Sequence, residues 1–267
     1  MIKLMSNFYL NELGLSRGMH VIVHCSYRTI RKVMDVRSIS ELITTIQQIV
    51  TDKGSVIMPA FSYCYRRTDN SHDVFDQHNT ASKVGAVSEV FRTSAKVRRT
   101  ASPTHSFSIW GRVAMEIPKT NSPTSPLGKG SVCDWLTKTE NAYVLLLGVN
   151  FTSLSYAHYL ENITLVPWHD LSPWDYMYVE KIGVSTVGEQ VLIQLPGCSK
   201  SFVNFQKYLE EKNQIVPFRV NGIDSFLIPV SVLYKEGDIY FQNHPDKLLC
   251  KPGSCRICDE RHRKMKE

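Results

Sequence analysis

The chain has 267 residues, of which 43% are apolar, enough to bury a core in one large domain or two small ones. This composition excludes disordered, collagen-like and low-complexity proteins. The formal net charge is +6. Residues 250–267 contain six basic and three acidic side chains, so this segment carries half of the net positive charge. The remaining body is only mildly basic, so we expect no nucleic-acid partner.

No apolar run approaches the roughly 18 to 20 residues that a membrane-spanning helix needs. The longest runs cover 55–61 and 143–149. Residues 1–7 lack the apolar stretch and cleavage site of a secretory signal. Seven cysteines are an odd count for a disulfide framework. We therefore expect a cytoplasmic protein with reduced thiols and no membrane partner.

Strand and helix patterns alternate through the first half of the chain. In chain order the periodicity predicts a helix at 7–15, a strand at 20–24, a helix at 38–50, a strand at 55–61, a helix at 84–92, strands at 107–110 and 142–149, and a helix at 154–162. Ser38 and Glu41 form a capping-box pattern at the start of the second helix, whose apolar side chains share one face. The strands on either side of this helix should be parallel neighbours joined by a right-handed crossover.

The second half of the chain contains shorter elements. Apolar stretches at 177–182, 191–195, 216–220 and 225–229 accompany one amphipathic helix at 201–212. The polar stretch 62–82 is long for a connection and is interpreted as a functional loop. These patterns predict a single α/β domain over 1–249, with a mixed sheet and flanking helices. Its N-terminal part should be parallel and its C-terminal part antiparallel, and a basic, Cys-rich tail should follow over 250–267.

Three segments carry candidate chemistry. His24-Cys25-Ser26-Tyr27-Arg28 follows a predicted strand, and ligands of open α/β sheets bind beyond the carboxyl ends of strands. From composition alone an ordinary turn with a buried cysteine is the simpler interpretation, and a nucleophilic Cys25 thiolate is a further alternative.

The other two segments contain histidines. His105 lies in Ser102-Pro103-Thr104-His105-Ser106 and could be a general base, although a single histidine is more often structural. Spacing of three places Ser155, His158 and Glu161 on one helical face, either towards a cavity or as an ordinary solvated pair.

Seven segments resemble, in the right order, the aminoglycoside 3-N-acetyltransferase family, also called the antibiotic N-acetyltransferase family. They cover 24–30, 54–63, 75–85, 103–106, 125–131, 144–149 and 158–161, and so run through most of the first 165 residues. Each is weak alone, but their shared order makes the resemblance specific. The family implies an acyltransferase that moves the acetyl group of acetyl-CoA directly to an amine of an amino sugar, as in antibiotic resistance.

The resemblance also implies roles for individual residues. His105 would be the general base and Glu161 would orient its imidazole. The residues expected to bind CoA are His24, Cys25, Ser26, Tyr27, Arg28, Thr29, Ser102, Thr104, Gly128, Lys129, Gly130 and Ser131. Those expected to bind the acceptor are Tyr63, Asp76, His158 and Trp168.

The region after Glu161 is expected to shape the acceptor pocket. An aromatic and acidic cluster there could stack on a sugar or form a surface loop, and it comprises Trp168, His169, Asp170, Trp174, Asp175 and Tyr176. Family members commonly have Ser-Ser in place of Cys25-Ser26 and Pro in place of Ala81. The basic charge is a larger departure, because an acidic cleft would suit polycationic aminoglycosides. It favours an acceptor with anionic character, such as a nucleotide-linked amino sugar of polysaccharide or antibiotic biosynthesis.

Cys250, Cys255, Cys258 and His262 have a spacing compatible with a structural zinc site. An unmetallated basic tail and a redox pair are the alternatives. Two other functions remain open for the chain: a Cys–His hydrolase or thioesterase that uses Cys25, and an inactive acyltransferase-like interaction module. The expected partners are acetyl-CoA and the small amino-sugar acceptor, and a homodimer is left open.

Overall fold

The computed structural model describes residues 3–169, 178–194 and 196–267. The helices are α1 (Ser6–Glu12), α2 (Tyr27–Ile30), α3 (Ile39–Val50), α4 (Ala86–Arg92), α5 (Val113–Glu116), α6 (Val132–Thr137), α7 (Ser155–Ile163), α8 (Val203–Glu211), α9 (Val230–Asn243) and α10 (Arg256–Lys264). Short 3-10 helices cover Phe151–Ser153, Lys200–Phe202 and Pro245–Leu248. The strands are β1 (Leu4–Met5), β2 (His20–Cys25), β3 (Met34–Asp35), β4 (Ser55–Pro59), β5 (Tyr65–Arg67), β6 (Arg98–Arg99), β7 (Phe107–Gly111), β8 (Ala142–Leu147), β9 (Val179–Ser185), β10 (Gly188–Val191), β11 (Phe218–Val220) and β12 (Ile223–Pro229).

A seven-stranded mixed sheet, ordered β11-β12-β8-β2-β4-β7-β6, forms the centre of the molecule. Strand β2 runs parallel to both β4 and β8, so the predicted parallel pairing on either side of α3 is confirmed. β12 joins β8 antiparallel, and β7 joins β4 antiparallel. The parallel part of the sheet is therefore limited to the three central strands β8, β2 and β4. The chain after β4 returns without a crossover, so β7 runs antiparallel beside β4.

Both faces of the sheet are buried, and alternate side chains of the central strands supply the two halves of the core. Val21 and Val23 pack with α1 and α3, whereas Ile22 packs with α7, α8 and α9 on the other face. The predicted apolar face of α3 is confirmed, because Leu42, Ile43, Ile46 and Val50 are buried. Ser38 Oγ accepts the Glu41 N–H at 3.1 Å and starts this helix.

Helix α7 lies deepest against the sheet, and residues 155–161 are all buried. Gly237 of α9 allows this close packing, since a Cβ there would lie 2.5 Å from Leu160 Cδ1. Any larger residue at 237 would force the buried Leu160 side chain to shift.

A smaller antiparallel sheet, β10-β9-β5, pairs the polar stretch 62–82 with the second half of the chain. The segment 250–267, predicted as a separate tail, folds back instead: α10 packs on the body through buried Cys258 and Arg261. Within the described ranges, none of the helices combines the length and apolar character needed to cross a membrane.

Candidate active site

A cavity of about 460 Å³ opens where the parallel strands end. His24 and Cys25 contribute from the end of β2, and Pro59 from the end of β4. This is the edge of an α/β sheet at which ligands bind. The remaining wall includes His105, His158 of α7 and the segment around Gly197. The cavity therefore brings together parts of the chain that are up to 176 residues apart, from Val23 to Ser199.

A buried chain of hydrogen-bonded side chains, His158, Glu161 and Arg261, lies beside this cavity and is called the relay below. His158 Nδ1 is 2.6 Å from Glu161 Oε2, and Arg261 Nη1 donates to Glu161 Oε1 at 2.9 Å. The side chains of Glu161 and Arg261 are only 4% and 7% exposed. Burial by itself would raise the pKa of the Glu161 carboxyl, but the Arg261 guanidinium and the His158 hydrogen bond outweigh it and lower that pKa. Glu161 is therefore ionised at neutral pH and orients His158.

The guanidinium of Arg261 is fixed on its other sides as well. It lies over the ring of Trp168, with Cζ 5.4 Å from the ring centroid. Gly197 lies directly against it, since a Cβ at 197 would be 2.3 Å from Arg261 Nη2. The absence of a side chain at 197 thus lets a segment of the cavity wall contact the guanidinium.

His105, predicted to be the partner of Glu161, lies elsewhere in the cavity wall. Its ring meets Phe61 and Tyr63 edge-on, with centroid distances of 4.7 and 5.3 Å. Its Nδ1 is buried without a hydrogen-bond partner among the described residues. Burial, with a smaller effect of nearby His158, lowers its pKa to about 3. The predicted His105–Glu161 pair is therefore wrong: Glu161 is occupied by His158, its neighbour one helical turn away.

The turn after β2 is ordered by its own side chains. Ser26 Oγ caps α2 by accepting the Thr29 N–H, and the two hydroxyl oxygens are 2.8 Å apart. His24 Nε2 is 3.3 Å from Ser155 Oγ, and burial lowers the His24 pKa to about 4. His24 and Cys25 line the cavity, whereas Tyr27 is half-buried and Arg28 is exposed.

Several of the other residues predicted to bind CoA form hydrogen bonds or packing contacts with nearby protein groups. Ser102 Oγ accepts the His105 N–H at 3.2 Å, while the buried Thr104 hydroxyl has no partner in the described part of the chain. Ser131 caps α6 through the Asp134 N–H. In the preceding loop, Gly128 packs against Ser125 and Asn162, Gly130 donates to Asp134, and Lys129 is exposed. Their contact with CoA stays a prediction.

The predicted acceptor-binding residues have different outcomes. Tyr63 and His158 line the cavity, and Tyr63 has a φ of 53°, a strained value for a non-glycine residue. Asp76 is not among the described residues that line the cavity; its Oδ1 accepts the N–H groups of His78 and Asn79, and its contact with the acceptor stays a prediction.

Trp168 was also predicted wrongly to stack on a sugar. It is 2% exposed and packs beneath Arg261. Its neighbour His169 has its Nδ1 3.0 Å from the Val166 carbonyl oxygen. The remaining members of the aromatic and acidic cluster, Asp170, Trp174, Asp175 and Tyr176, lie outside the described residues.

The predicted zinc ligands also change. His262 Nε2 lies 2.8 Å from the Cys250 carbonyl oxygen, so its ring is used in a backbone contact. Cys198 takes its place beside the other three cysteines. The sequence interpretation missed both Cys198 and Arg261. Arg261 lies one helical turn after Cys258, and that spacing was the available signal that it faces inward.

Comparisons with known proteins agree with this architecture. The family model described as aminoglycoside 3-N-acetyltransferase matches residues 22–242. The SPbeta prophage-derived aminoglycoside N(3')-acetyltransferase-like protein YokD of Bacillus subtilis (strain 168) is 28% identical over 57% of this chain and 61% of its own length. The chain thus spans less than two thirds of that relative.

Solved structures match over more of the chain. The apoenzyme of aminoglycoside acetyltransferase AAC(3)-IVa superposes with a TM-score of 0.80 and 21% identity, covering 98% of both chains. AAC-IIIb in its binary complex with CoASH superposes with a TM-score of 0.70 and 17% identity, covering 89% of this chain and 94% of the AAC-IIIb chain. The predicted family and the mixed α/β fold are confirmed.

Proposed function

The chain belongs to the aminoglycoside 3-N-acetyltransferase family, and we propose that it transfers the acetyl group of acetyl-CoA to an amine of an amino sugar, with His158 as general base. The observation that carries this proposal is the His158–Glu161–Arg261 relay at the cavity. A base held by an ionised carboxylate is a recurring arrangement for proton abstraction from a nucleophile.

The chemistry follows from the two ring nitrogens of His158. The Glu161 carboxylate accepts a hydrogen bond, so Nδ1 carries the proton and Nε2 is the basic atom. Nε2 removes a proton from the acceptor amine as its nitrogen attacks the thioester carbonyl carbon. The C–N bond forms, the C–S bond breaks, and the proton passes to the departing CoA sulfur. The imidazolium formed in between is stabilised by Glu161, whose own charge Arg261 balances.

His105 supplies a different function in this proposal. Its low pKa keeps it neutral at pH 7, and its unpartnered Nδ1 can hydrogen-bond to a bound molecule. The turn after β2, with Thr104, is the proposed contact surface for CoA, because His24 and Cys25 border the same cavity. The CoA complex of the related AAC-IIIb fold is consistent with this donor.

The acceptor is proposed to be an amino sugar with anionic character. Among the described residues that line the cavity there is no Asp or Glu, and no Lys or Arg. A polycationic aminoglycoside would gain little attraction from such a wall. A nucleotide-linked amino sugar would avoid that disadvantage and suits the overall charge of +6.

A thiol-release assay with acetyl-CoA tests the reaction and the acceptor together. We expect acetylated products from a panel of nucleotide-linked amino sugars, identified by mass spectrometry, and slower turnover of an aminoglycoside panel. Ordinary efficiency on several aminoglycosides, with no reaction on the nucleotide-linked sugars, would refute the acceptor proposal and leave the reaction intact. Failure on both panels while CoA binds would refute the amino-sugar acceptor altogether.

The alternative hydrolase makes a separate prediction at Cys25. Burial raises the pKa of the Cys25 thiol to about 12, so it is protonated at neutral pH and a poor nucleophile. We therefore expect Cys25→Ser to keep more than about a tenth of the wild-type kcat, a loss below about 1.4 kcal/mol in barrier height. Complete loss of turnover, together with a covalent acyl-enzyme in the wild type by mass, would favour the hydrolase.

A further inference from the structure

Four cysteines from three separate segments of the chain lie close together. Cys198 precedes the 3-10 helix Lys200–Phe202, Cys250 follows Pro245–Leu248, and Cys255 and Cys258 open α10. Their four Sγ atoms all lie within 4.8 Å of one another. The three remaining cysteines of the chain, Cys25, Cys64 and Cys133, are outside this group.

The geometry is that of a tetrahedral thiolate site. Four sulfurs around one Zn²⁺ at about 2.3 Å lie about 3.8 Å apart. Cys198 Sγ and Cys250 Sγ are already 3.7 Å apart, which is far longer than the ~2.05 Å of a disulfide. An all-sulfur donor set selects zinc over hard cations. The surroundings also support the ligands, because Ser201 Oγ donates to Cys250 Sγ at 3.6 Å.

We propose that Cys198, Cys250, Cys255 and Cys258 bind one structural zinc ion. The pair Cys255 and Cys258 forms a C-x2-C turn at the start of a helix, and Cys198 and Cys250 supply the ligands from other segments that a closed site requires. Cys258 is fully buried and the other three are half-buried, so the ion would be held inside the fold and away from open solvent.

The local charge suits such a site. A zinc ion with four thiolates has a net charge of about −2. Lys251 and Arg256 directly follow Cys250 and Cys255 in the chain, and Lys200 lies two residues after Cys198. Positive charge close to the ligands along the chain is favourable for a site of this net charge.

The site would also fix the catalytic relay. Cys198 lies between Gly197 and Ser199, which both line the cavity. Cys258 lies one helical turn before Arg261, and Gly197 touches the Arg261 guanidinium. One ion would thus fasten the cavity wall to the helix that delivers Arg261 to Glu161. This second role rests on the proposed function, whereas zinc binding does not.

Metal content of the full chain, purified without an affinity-metal column, tests the site directly. We expect about one equivalent of zinc in the wild type and in Cys133→Ala, a matched variant at a buried cysteine outside the group. Cys198→Ser should contain less than half an equivalent and melt at least about 5 °C lower. Less than half an equivalent in the wild type, even after growth with added zinc, would overturn the proposal.

Two measurements on the wild type keep the test decisive if Cys198→Ser does not fold. As four cysteines are modified by a thiol reagent, the protein should release its zinc in proportion. Protein from cells grown with cobalt in place of zinc should show the strong visible absorption of a tetrahedral thiolate complex. Two disulfides by mass, with no metal released, would refute the site. Zinc release that leaves acetyl transfer unchanged would refute only the role in positioning Arg261, and a silent transfer assay would leave the zinc result unaffected.

Discussion

His158→Ala should lower kcat by about 10²- to 10⁴-fold, the usual contribution of a positioned general base. The reason is that Nε2 of His158 is the basic atom left free once Glu161 holds Nδ1. Binding of CoA, measured by calorimetry, should stay nearly unchanged, because the proposed donor contacts lie on the turn after β2. Loss of CoA binding together with turnover would mean that His158 is a structural or donor-binding residue.

The pH dependence of kcat distinguishes His158 from His105. With its pKa lowered to about 3 by burial, His105 is neutral throughout the neutral range and cannot cause an acidic limb there. Any limb in the neutral range in which the rate falls with decreasing pH should therefore persist in His105→Ala. The opposite result would restore His105 as the base.

Arg261→Ala should destabilise the protein by about 3–5 kcal/mol at pH 7, the cost of breaking a buried ion pair. The Glu161 carboxylate would then be buried beside His158 without the guanidinium that balances its charge. Urea unfolding measures this loss. Arg263→Ala is the matched control, because Arg263 is 69% exposed on the same helix and its loss should cost less than about 0.5 kcal/mol.

The same substitution should change the pH dependence of stability. The folded-state pKa of Glu161 lies below its ordinary value of 4.5, so the pair stabilises the fold fully above about that pH. This contribution is lost as the pH falls through the folded-state pKa. Without Arg261 the effect of burial is opposed less strongly and the pKa of Glu161 rises, so the difference in stability between wild type and variant should be largest at pH 7 and shrink in acid. A difference independent of pH would show that Arg261 acts by packing alone.

Much of the fold follows from local patterns in the sequence. The apolar run of β2 and the amphipathic face of α3 are set by neighbours along the chain, and both are present. The antiparallel placement of β7 beside β4 depends on where a long connection leads, which periodicity does not encode. The sheet order was therefore harder to predict than its strands.

In the candidate site, too, the local features could be predicted and the contacts between distant parts of the chain could not. The spacing of His158 and Glu161 places them one helical turn apart, and this local pair is present. Pairing Glu161 with His105 was wrong because it relied on the order of family segments, which gives no distances. The guanidinium partner lies 100 residues further along the chain, in a run of basic residues that resembles a solvated surface. Cys198 likewise lies 52 residues before Cys250.

The contact between Arg261 and Glu161 has a consequence for biosynthesis. The sheet and α7 are complete once residue 229 has been made, whereas the partner of Glu161 follows 32 residues later. Until then the growing chain contains a carboxylate destined for burial with no cation to balance it. Because Glu161 can meet Arg261 only after residue 261 has been made, the catalytic relay is among the last parts of this protein to assemble.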